Sequence, residues 1–469
     1  MTQASHLRSL NLTNQSLTVF PSDAISQATG INLLNLSNNR LSSLPAEVLT
    51  KMVNLTILFC SDNRFTTLPE CLGQLPKLEM VAFKHNAISS VPASAIPVDT
   101  LRWLILTDNH ITSLPDEIGA CTKLQKLMLA GNKLTHIPDS MRGCKALELV
   151  RISANMLVEF PTVLLTLPRL AWLAFEGNPF CDTRDKEGIA PVEVPVVDWE
   201  TVDVEAMLGE GASGVIYKGT WRTEADKMRP VAVKVFKGEV TSDGWPQSEL
   251  STALHAGNHP NLIPILGHLP ASTSTFTFTP SPIPSKPILN AATPSPISAP
   301  KNTALLMSLI PPTYKILAGP PSFATCTRDV YTPTTTFTPT TALRLLLGVA
   351  SAVRHLHARG ITHGDCYAHN VLVGEDGECY LGDFGGASFV GGFPVRIGGR
   401  LRRVEVRAFG CLVEEITERC VGGDGEGDVE RVLEGLRKLR KRCDDENVDD
   451  RPEFEEICTV LRDWRDWFE

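Results

Sequence analysis

Three polar side chains in the C-terminal half of the chain have the types and the spacing that phosphoryl transfer requires. Asp365 lies in the segment His-Gly-Asp-Cys-Tyr-Ala-His-Asn, which ends at Asn370, and Asp383 begins an Asp-Phe-Gly eighteen residues after Asp365. A phosphoryl transition state spreads negative charge over several oxygens, so the site needs a carboxylate to orient the attacking hydroxyl, and an amide and a carboxylate to hold Mg²⁺. Asp365, Asn370 and Asp383 fit these roles in that order.

Two short apolar segments must bring these side chains together. Residues 370–373 (Asn-Val-Leu-Val) and 378–381 (Glu-Cys-Tyr-Leu) are predicted to be strands that return the chain on itself. Asp-Phe-Gly alone could equally be a turn between a strand and a loop. The paired spacing is what favours the catalytic interpretation.

Further upstream, a glycine-rich segment and a lysine indicate a nucleotide site. Gly209, Gly211 and Gly214 precede strand-like residues, so they predict a β-hairpin whose backbone N–H groups approach phosphates, rather than a Rossmann turn, which a helix would follow. A glycine hairpin without a ligand is the alternative. Lys234 ends an apolar strand and needs an acidic partner if it is buried, and Glu249, in a helical stretch at 247–255, is the best placed. A surface lysine is the alternative for Lys234.

Together these motifs resemble the eukaryotic protein kinase family, from about residue 202 to the end of the chain. The resemblance implies an α+β two-lobed fold that uses ATP and Mg²⁺. It assigns Asp365 to orient the hydroxyl and accept its proton, Asn370 and Asp383 to bind Mg²⁺, and Lys234 with Glu249 to position the phosphates. The ATP-binding residues that it implies, with Met307 as gatekeeper, are Leu208, Gly209, Gly211, Gly214, Ile216, Ala232, Lys234, Met307 and Leu309.

The chain departs from the family pattern in ways that concern the protein substrate. Gly364 stands where an arginine is usual, so activity is not expected to require phosphorylation of the activation loop. Tyr367 stands where Ser/Thr kinases carry a lysine. Residues 386–403 contain no Ala-Pro-Glu, which leaves Arg451 without its customary ion-pair partner, and Glu405 replaces the usual Asp at the expected start of the central helix of the large lobe. Substrate recognition is therefore the open question.

The first 181 residues carry a repeat. The pattern Leu-x-x-Leu-x-Leu-x-x-Asn-x-Leu occurs eight times, with its asparagine position first 24 and then 23 residues apart. This is the leucine-rich-repeat signature, in the form that resembles the cytosolic subtype, and it predicts an α/β solenoid whose units bury their apolar faces only against their neighbours. Each asparagine is expected to satisfy backbone groups at the turn after its strand. The positions are Gln15, Asn39, Asn63, Asn86, Asn109, Asn132, Asn155 and Asn178.

Residues between the motif leucines should line the concave face of the solenoid, because side chains alternate along a strand. Two columns of that face contain large apolar residues, which suggests a surface for a protein partner. The alternative is that the C-terminal half of the chain, or a local loop, covers them. The candidate partner-binding residues are Ile57, Phe59, Met80, Trp103, Ile105, Met128 and Trp172.

The predicted organisation is a leucine-rich-repeat domain at 1–181, a linker at 182–201 and a kinase-like domain at 202–469. A Ser/Thr/Pro-rich insertion at 271–301 is expected to be disordered. A net charge of −9 argues against a nucleic-acid-binding surface. There is no signal-peptide pattern and no apolar run near the ~20 residues that span a bilayer. Twelve scattered cysteines fit a reducing compartment, so a cytoplasmic location is expected.

The sequence thus predicts an intracellular protein kinase that uses ATP and Mg²⁺ and acts on Ser/Thr rather than Tyr hydroxyls, with repeats that select a protein partner or substrate. One alternative is a pseudokinase scaffold that only binds partners. Another is a small-molecule phosphotransferase, since His-Gly-Asp also occurs in that related group. The repeats and Asp-Phe-Gly weigh against the latter.

Overall fold

The computed structural model describes residues 8–21, 30–182, 193–211, 213–223, 225–238, 240–271, 277–278, 297–298, 303–421 and 426–468. Half of the predicted linker, and all but a few residues of the Ser/Thr/Pro-rich insertion, lie outside these ranges. Within the described residues, none of the helices combines the length and the apolar character needed to cross a bilayer.

The repeat unit, residues 8–182, is built on one sheet of eight parallel strands in chain order. Each asparagine of the repeat holds the turn that follows its strand. Asn109, for example, donates from Nδ2 to the carbonyl oxygens of Phe83 (2.9 Å) and Leu106 (3.0 Å), and its Oδ1 accepts from the N–H of Ile88 (3.0 Å). The strands are β1 Ser9–Asn11, β2 Leu33–Asn35, β3 Ile57–Phe59, β4 Met80–Ala82, β5 Trp103–Ile105, β6 Lys126–Met128, β7 Leu149–Arg151 and β8 Trp172–Ala174.

Short helices form the convex side of the repeat unit. Most of them begin directly after a proline whose backbone is extended, so the proline marks where each helix can start. The motif leucines point inward between strands and helices and form a continuous apolar core. The helices are α1 Ala46–Leu49, the 3₁₀ turns Glu70–Gln74, Ala93–Ala95, Asp116–Ala120, Asp139–Gly143 and Thr162–Thr166, and α2 Pro179–Asp182.

The C-terminal unit, residues 193–468, begins with a small lobe. Its five-stranded antiparallel sheet has the order β12-β15-β11-β10-β9, and within the described part of this lobe one longer helix, α3, accompanies it. The elements, after a 3₁₀ turn at Trp199–Thr201, are β9 Val202–Glu210, β10 Gly214–Arg222, β11 Met228–Phe236, α3 Pro246–Ala256, β12 Ile265–Leu269, the paired β13 Thr277–Phe278 and β14 Ile297–Ser298, and β15 Ala304–Ser308.

The large lobe of the C-terminal unit is mainly helical. Two short hairpin-like pairings, β18 with β19 and β17 with β20, frame its loops. The elements are β16 Lys315–Ile316, α4 Pro339–Ala358, β17 Ile361–Thr362, β18 Val371–Val373, β19 Cys379–Leu381, β20 Ser388–Phe389, α5 Val395–Thr417, α6 Glu426–Cys443 and α7 Phe454–Phe468, with 3₁₀ turns at Ala368–Asn370 and Val448–Asp450.

Helix α5 is longer than the sequence predicts. It begins at Val395, ten residues before Glu405, so the expectation that the central helix starts near Glu405 is wrong. Pro394 has an extended backbone and directly precedes the first helical residue. The consequence is a short segment between Asp-Phe-Gly and the helix, with β20 as its only strand among the described residues.

The two units share apolar cores. Phe393 of the C-terminal unit is buried in the core of the repeat unit, with its ring edge-on to Phe160 (5.4 Å between centroids) and Phe175 (5.8 Å). In the opposite direction, Met128 and Trp172 of the repeat unit are buried in the core of the large lobe. The concave face of the repeats is thus packed against the C-terminal unit over much of its length.

Candidate functional site

The glycine-rich segment is a β-hairpin, as predicted. Gly211 and Gly214 close it, with the N–H of Gly211 donating to the carbonyl oxygen of Gly214 (2.9 Å). A Cβ placed on Gly209 or Gly211 would meet no atom within 4 Å, whereas one on Gly214 would clash with the backbone of Val235. The space beside the first two glycines is therefore open, and the third allows β10 to lie against β11.

Lys234 lies on β11 and is buried. Its Nζ donates to the carboxylate of Glu249, the predicted partner on α3, and to Asp383 Oδ1 at 3.3 Å. Burial alone would lower the pKa of Lys234, but the carboxylates of Asp383 and Glu249 raise it, so the ammonium stays charged. Burial raises the pKa of Glu249, and Lys234 lowers that of Asp383. This ammonium group therefore contacts both lobes.

The other residues implied for nucleotide binding lie around Lys234. Ile216 on β10 lies opposite Lys234 on β11, and Met307 on β15 lies opposite Ala232 on β11. Leu208 lies on β9 with 49% of its surface exposed, and Leu309 follows the end of β15. These positions thus lie on, or directly after, four neighbouring strands of the small-lobe sheet, one of which carries Lys234.

Asp365 and Asn370 lie on one loop, between β17 and β18. Asn370 Nδ2 donates to the carbonyl oxygen of Asp365 (2.9 Å) and to its Oδ2 (2.8 Å). The N–H of Gly382 donates to the carbonyl oxygen of Asn370 (2.9 Å), which ties the segment before Asp383 to this loop. Asp383 itself has a left-handed backbone, with φ at 60°. The three residues that the spacing singled out are therefore neighbours.

Glu405 fixes the backbone of this loop from α5. Its carboxylate accepts from the N–H of His363 (3.2 Å) and of Gly364 (2.7 Å), and His357 Nε2 lies 2.7 Å from it. Gly364 has φ at 70°, and a Cβ there would clash with the carbonyl oxygen of Gly386. The arginine that is usual at this place would not fit, because the backbone is left-handed and the space is already filled.

Arg151, at the end of β7, is the residue of the site that sequence reasoning missed. It donates to Asp365 Oδ1, to the carbonyl oxygen of Gly364 (3.1 Å) and to Asp243 Oδ1 (2.6 Å), and it is buried. Burial alone would lower the pKa of Arg151, but the carboxylates of Asp365 and Asp243 raise it. Burial raises the pKa of Asp365, and the positive charge of Arg151 opposes that effect. One signal was available, since Arg151 is the only charged residue in its concave column.

Trp172, on the neighbouring strand β8, covers the same loop. Its ring is stacked on Tyr367, with centroids 4.3 Å apart and planes 4° apart, and its Nε1 donates to the carbonyl oxygen of Cys366 (3.3 Å). Tyr367, which replaces the lysine of Ser/Thr kinases, is thereby held against the repeat unit.

A loop of the C-terminal unit covers the concave face at β3, β4 and β5. Phe323 packs against Phe59 (5.5 Å between centroids) and Trp103 (6.1 Å), and Cys326 is buried in one apolar cluster with Ile57, Met80 and Trp103. This arrangement fits the alternative that the sequence left open, in which the chain's own C-terminal half covers the apolar concave residues: five of the seven are buried, and Phe59 and Ile105 are half-buried. The seven are Ile57, Phe59, Met80, Trp103, Ile105, Met128 and Trp172.

Arg451, left without its customary partner, also binds the repeat unit. Its guanidinium donates to the carbonyl oxygens of Pro168 (2.8 Å) and Leu170 (3.4 Å), and Arg407 Nε donates to that of Arg169 (3.1 Å). Burial lowers the pKa of Arg451 to about 10. Backbone carbonyls of the last repeat thus take the place of the absent carboxylate.

Comparison with known proteins agrees with this architecture. Residues 202–391 match the family model described as protein tyrosine and serine/threonine kinase, and residues 5–65 and 99–157 match that of the leucine-rich repeat. The chain is 26% identical over 153 residues to serine/threonine/tyrosine-protein kinase HT1 of Arabidopsis thaliana, covering 26% of this chain and 39% of that protein. It is also 26% identical over 196 residues to ephrin type-B receptor 4b of Danio rerio, and this match covers 41% of this chain and 16% of that protein.

The chain therefore spans well under half the length of these relatives. Among solved structures, a leucine-rich-repeat protein of Leptospira interrogans is 29% identical with a TM-score of 0.31, covering 36% of this chain and 48% of that one.

Proposed function

We propose that this chain, which joins leucine-rich repeats to a protein kinase domain, transfers the γ-phosphate of ATP to protein hydroxyl groups, of serine or threonine in preference to tyrosine. The observation that carries the proposal is the contact of Lys234 with both Glu249 and Asp383. An ammonium group that bridges the two lobes in this way places a fixed positive charge where phosphates would lie.

The residues present fit ATP and Mg²⁺. The space beside Gly209 and Gly211 can admit a phosphate chain against backbone N–H groups, and Lys234 can pair with its oxygens. Asn370 and Asp383 supply the oxygen ligands that Mg²⁺ prefers, and they would hold it. When bound, the metal neutralises charge that develops on the transferred group. Asp365 orients the substrate hydroxyl and accepts its proton, and Asn370 holds the Asp365 carboxylate in place.

A scaffold without phosphotransfer is the second candidate, because Arg151 already occupies the carboxylate that has to meet the hydroxyl. The two functions differ in whether phosphate is transferred after nucleotide binds. The preference for serine and threonine rests on the family resemblance, and phosphoamino-acid analysis of the products tests it directly.

The experiment is phosphate incorporation from labelled ATP with Mg²⁺, into the chain itself and into a generic protein substrate. Lys234→Met and Asp383→Ala are expected to abolish incorporation, since each removes one arm of the bridge. Lys218→Met is the matched control, because Lys218 lies on the same sheet but is half-exposed and pairs with Glu205. The scaffold would be the only remaining function if nucleotide stabilises the fold but neither the wild type nor a variant without the Arg151 contact incorporates phosphate.

We also propose a cytoplasmic location. All twelve cysteines are free thiols, and most of them are buried. Disulfides form and persist in oxidising compartments, so free thiols throughout a chain of this size support a reducing one.

A further inference from the structure

We propose that Arg151 is an internal lock, which closes the hydroxyl-accepting side of the kinase site by occupying Asp365 while the nucleotide side stays assembled. This inference rests on the proposed function, because it describes how the same site is regulated. The hydroxyl side means here Asp365 and the loop around it, and the nucleotide side means Lys234, Glu249 and Asp383.

Both carboxylate oxygens of Asp365 already have a donor. Oδ1 accepts from Arg151, and Oδ2 accepts from Asn370 at 2.8 Å. A group that accepts a proton from a substrate hydroxyl must lie within about 2.6–3.2 Å of its oxygen. A guanidinium has donors only and cannot be deprotonated in a protein, so it holds that position without being able to pass a proton on.

The two sides of the site differ in access. The side chain of Asp365 is 18% exposed, whereas that of Asp383 is 49% exposed. Strand β8 lies directly over the loop of Asp365, because Trp172 is stacked on Tyr367 and a Cβ on Gly364 would come within 2.8 Å of the carbonyl oxygen of Leu173. A protein hydroxyl therefore has to reach Asp365 beside the repeat unit, where the Arg151 guanidinium now lies.

A second acid holds Arg151 in place. Asp243 belongs to the segment between β11 and α3, and it accepts from Arg151 Nε at 2.6 Å. The neighbouring Gly244 lies against Ser153 of the repeat unit, where a Cβ would come within 2.7 Å of its side chain. The same segment leads into α3, which carries Glu249. Arg151 thus links the repeat unit to the catalytic loop and to the small lobe at once.

The lock can open without separating the two units. Arg451 and Arg407 bind the carbonyls of residues 168–170, and Phe393 is buried among the phenylalanines of the repeat core, so these contacts do not depend on Arg151. We therefore expect movement of the Arg151 side chain to free Oδ1 of Asp365 while the two units stay packed together. The alternative to a lock is that Arg151 assists catalysis, as a replacement for the arginine and the lysine that the family carries at the positions of Gly364 and Tyr367. In that case its removal would slow the reaction.

The test uses the full chain with Arg151→Gln and Asp243→Asn combined, because Arg151→Gln alone leaves the half-buried carboxylates of Asp243 and Asp365 without their shared cation and could unfold the protein. We expect the double variant to incorporate phosphate about tenfold faster than the wild type or more, because it lacks the contact of Arg151 that competes for the Asp365 carboxylate. Stabilisation by ATP and Mg²⁺ should be unchanged. Arg142→Gln is the control, since Arg142 is 66% exposed and pairs with Asp139 of its own repeat, and its rate should match the wild type.

Hydrogen exchange of residues 363–370 gives a readout independent of activity, and the double variant should exchange faster than the wild type there. A slower reaction in the double variant overturns the lock and assigns Arg151 a role in catalysis. An unchanged rate with measurable activity overturns the lock and leaves the kinase standing. If every form is inactive, the proposed function fails, and hydrogen exchange tests the contact of Arg151 by itself. Faster exchange of residues 363–370 in the double variant than in the wild type supports closure by Arg151, and unchanged exchange refutes it.

Discussion

Phe393 offers a direct measure of how firmly the repeat unit and the C-terminal unit are joined. It comes from the short segment before α5, and its ring is buried against Phe160, Phe175 and Phe180 of the repeat unit, at 5.4, 5.8 and 6.3 Å. Phe393→Ala leaves a cavity between the units, so we expect it to lower the free energy of unfolding by about 3–5 kcal/mol, the range for a buried phenylalanine.

Phe323 is the matched control, because it is also a phenylalanine of the C-terminal unit that packs on the repeats. It contacts Phe59 and Trp103, but 42% of its surface is exposed. It buries correspondingly less apolar area, so Phe323→Ala should cost about 1–2 kcal/mol. The pair differs in burial at the interface and not in the type of side chain removed.

The measurement is urea unfolding of the full chain, followed by circular dichroism and by tryptophan fluorescence. If the units unfold together, both probes should report one transition that Phe393→Ala shifts to lower urea without changing its slope. Equal losses for the two variants, or a loss below about 1 kcal/mol for Phe393→Ala, would refute a tightly packed interface. Two separate transitions in the wild type would refute joint unfolding.

Three further outcomes test other contacts. Gly364→Arg, which restores the family's usual residue, should unfold or strongly destabilise the chain in thermal melts, because the position has φ at 70° and no room for a Cβ. Arg451→Met should lower the melting temperature, since it leaves the carbonyls of Pro168 and Leu170 without donors; an unchanged melt would mean that water replaces the guanidinium. Burial raises the pKa of Glu415 to about 7, so the folded state binds its proton more tightly than the unfolded state, and this stabilisation is lost as the pH rises from about 4.5 through 7. Glu415→Gln should therefore lose less stability than the wild type between pH 5 and pH 8.

The repeat unit could be predicted almost completely, because its contacts are local. Asn109 bonds to backbone groups of its own repeat and of the adjacent one, so a fixed spacing in the sequence encodes the whole arrangement. The nucleotide side of the site was predictable for a similar reason. Lys234 and Glu249 lie on neighbouring elements, and the roles proposed for Asp365, Asn370 and Asp383 come from short segments with a specific spacing.

The contact between Arg151 and Asp365 could not be predicted in the same way, because 214 positions separate the two residues. No periodicity connects a repeat to a catalytic loop at that distance. The apolar concave columns were visible in the sequence, but they fit an external partner as well as the chain's own second half. The early start of α5 was hidden too, since residues 395–404 contain two glycines and four arginines, which give no clear helix signal.

The departures from the kinase pattern and the apolar face of the repeats explain each other. Gly364 leaves room for β8, Tyr367 provides a flat surface for Trp172, and Arg451 finds carbonyl oxygens of the last repeat where the family has a carboxylate. Each departure, taken alone, resembles the loss of a kinase feature. Taken together, they are positions at which the repeat unit replaces that feature. Because the repeats pack against the loop of Asp365, we expect a change on β7 or β8 to alter which hydroxyl the proposed kinase accepts, even though both strands lie more than 190 positions from Asp365 in the sequence.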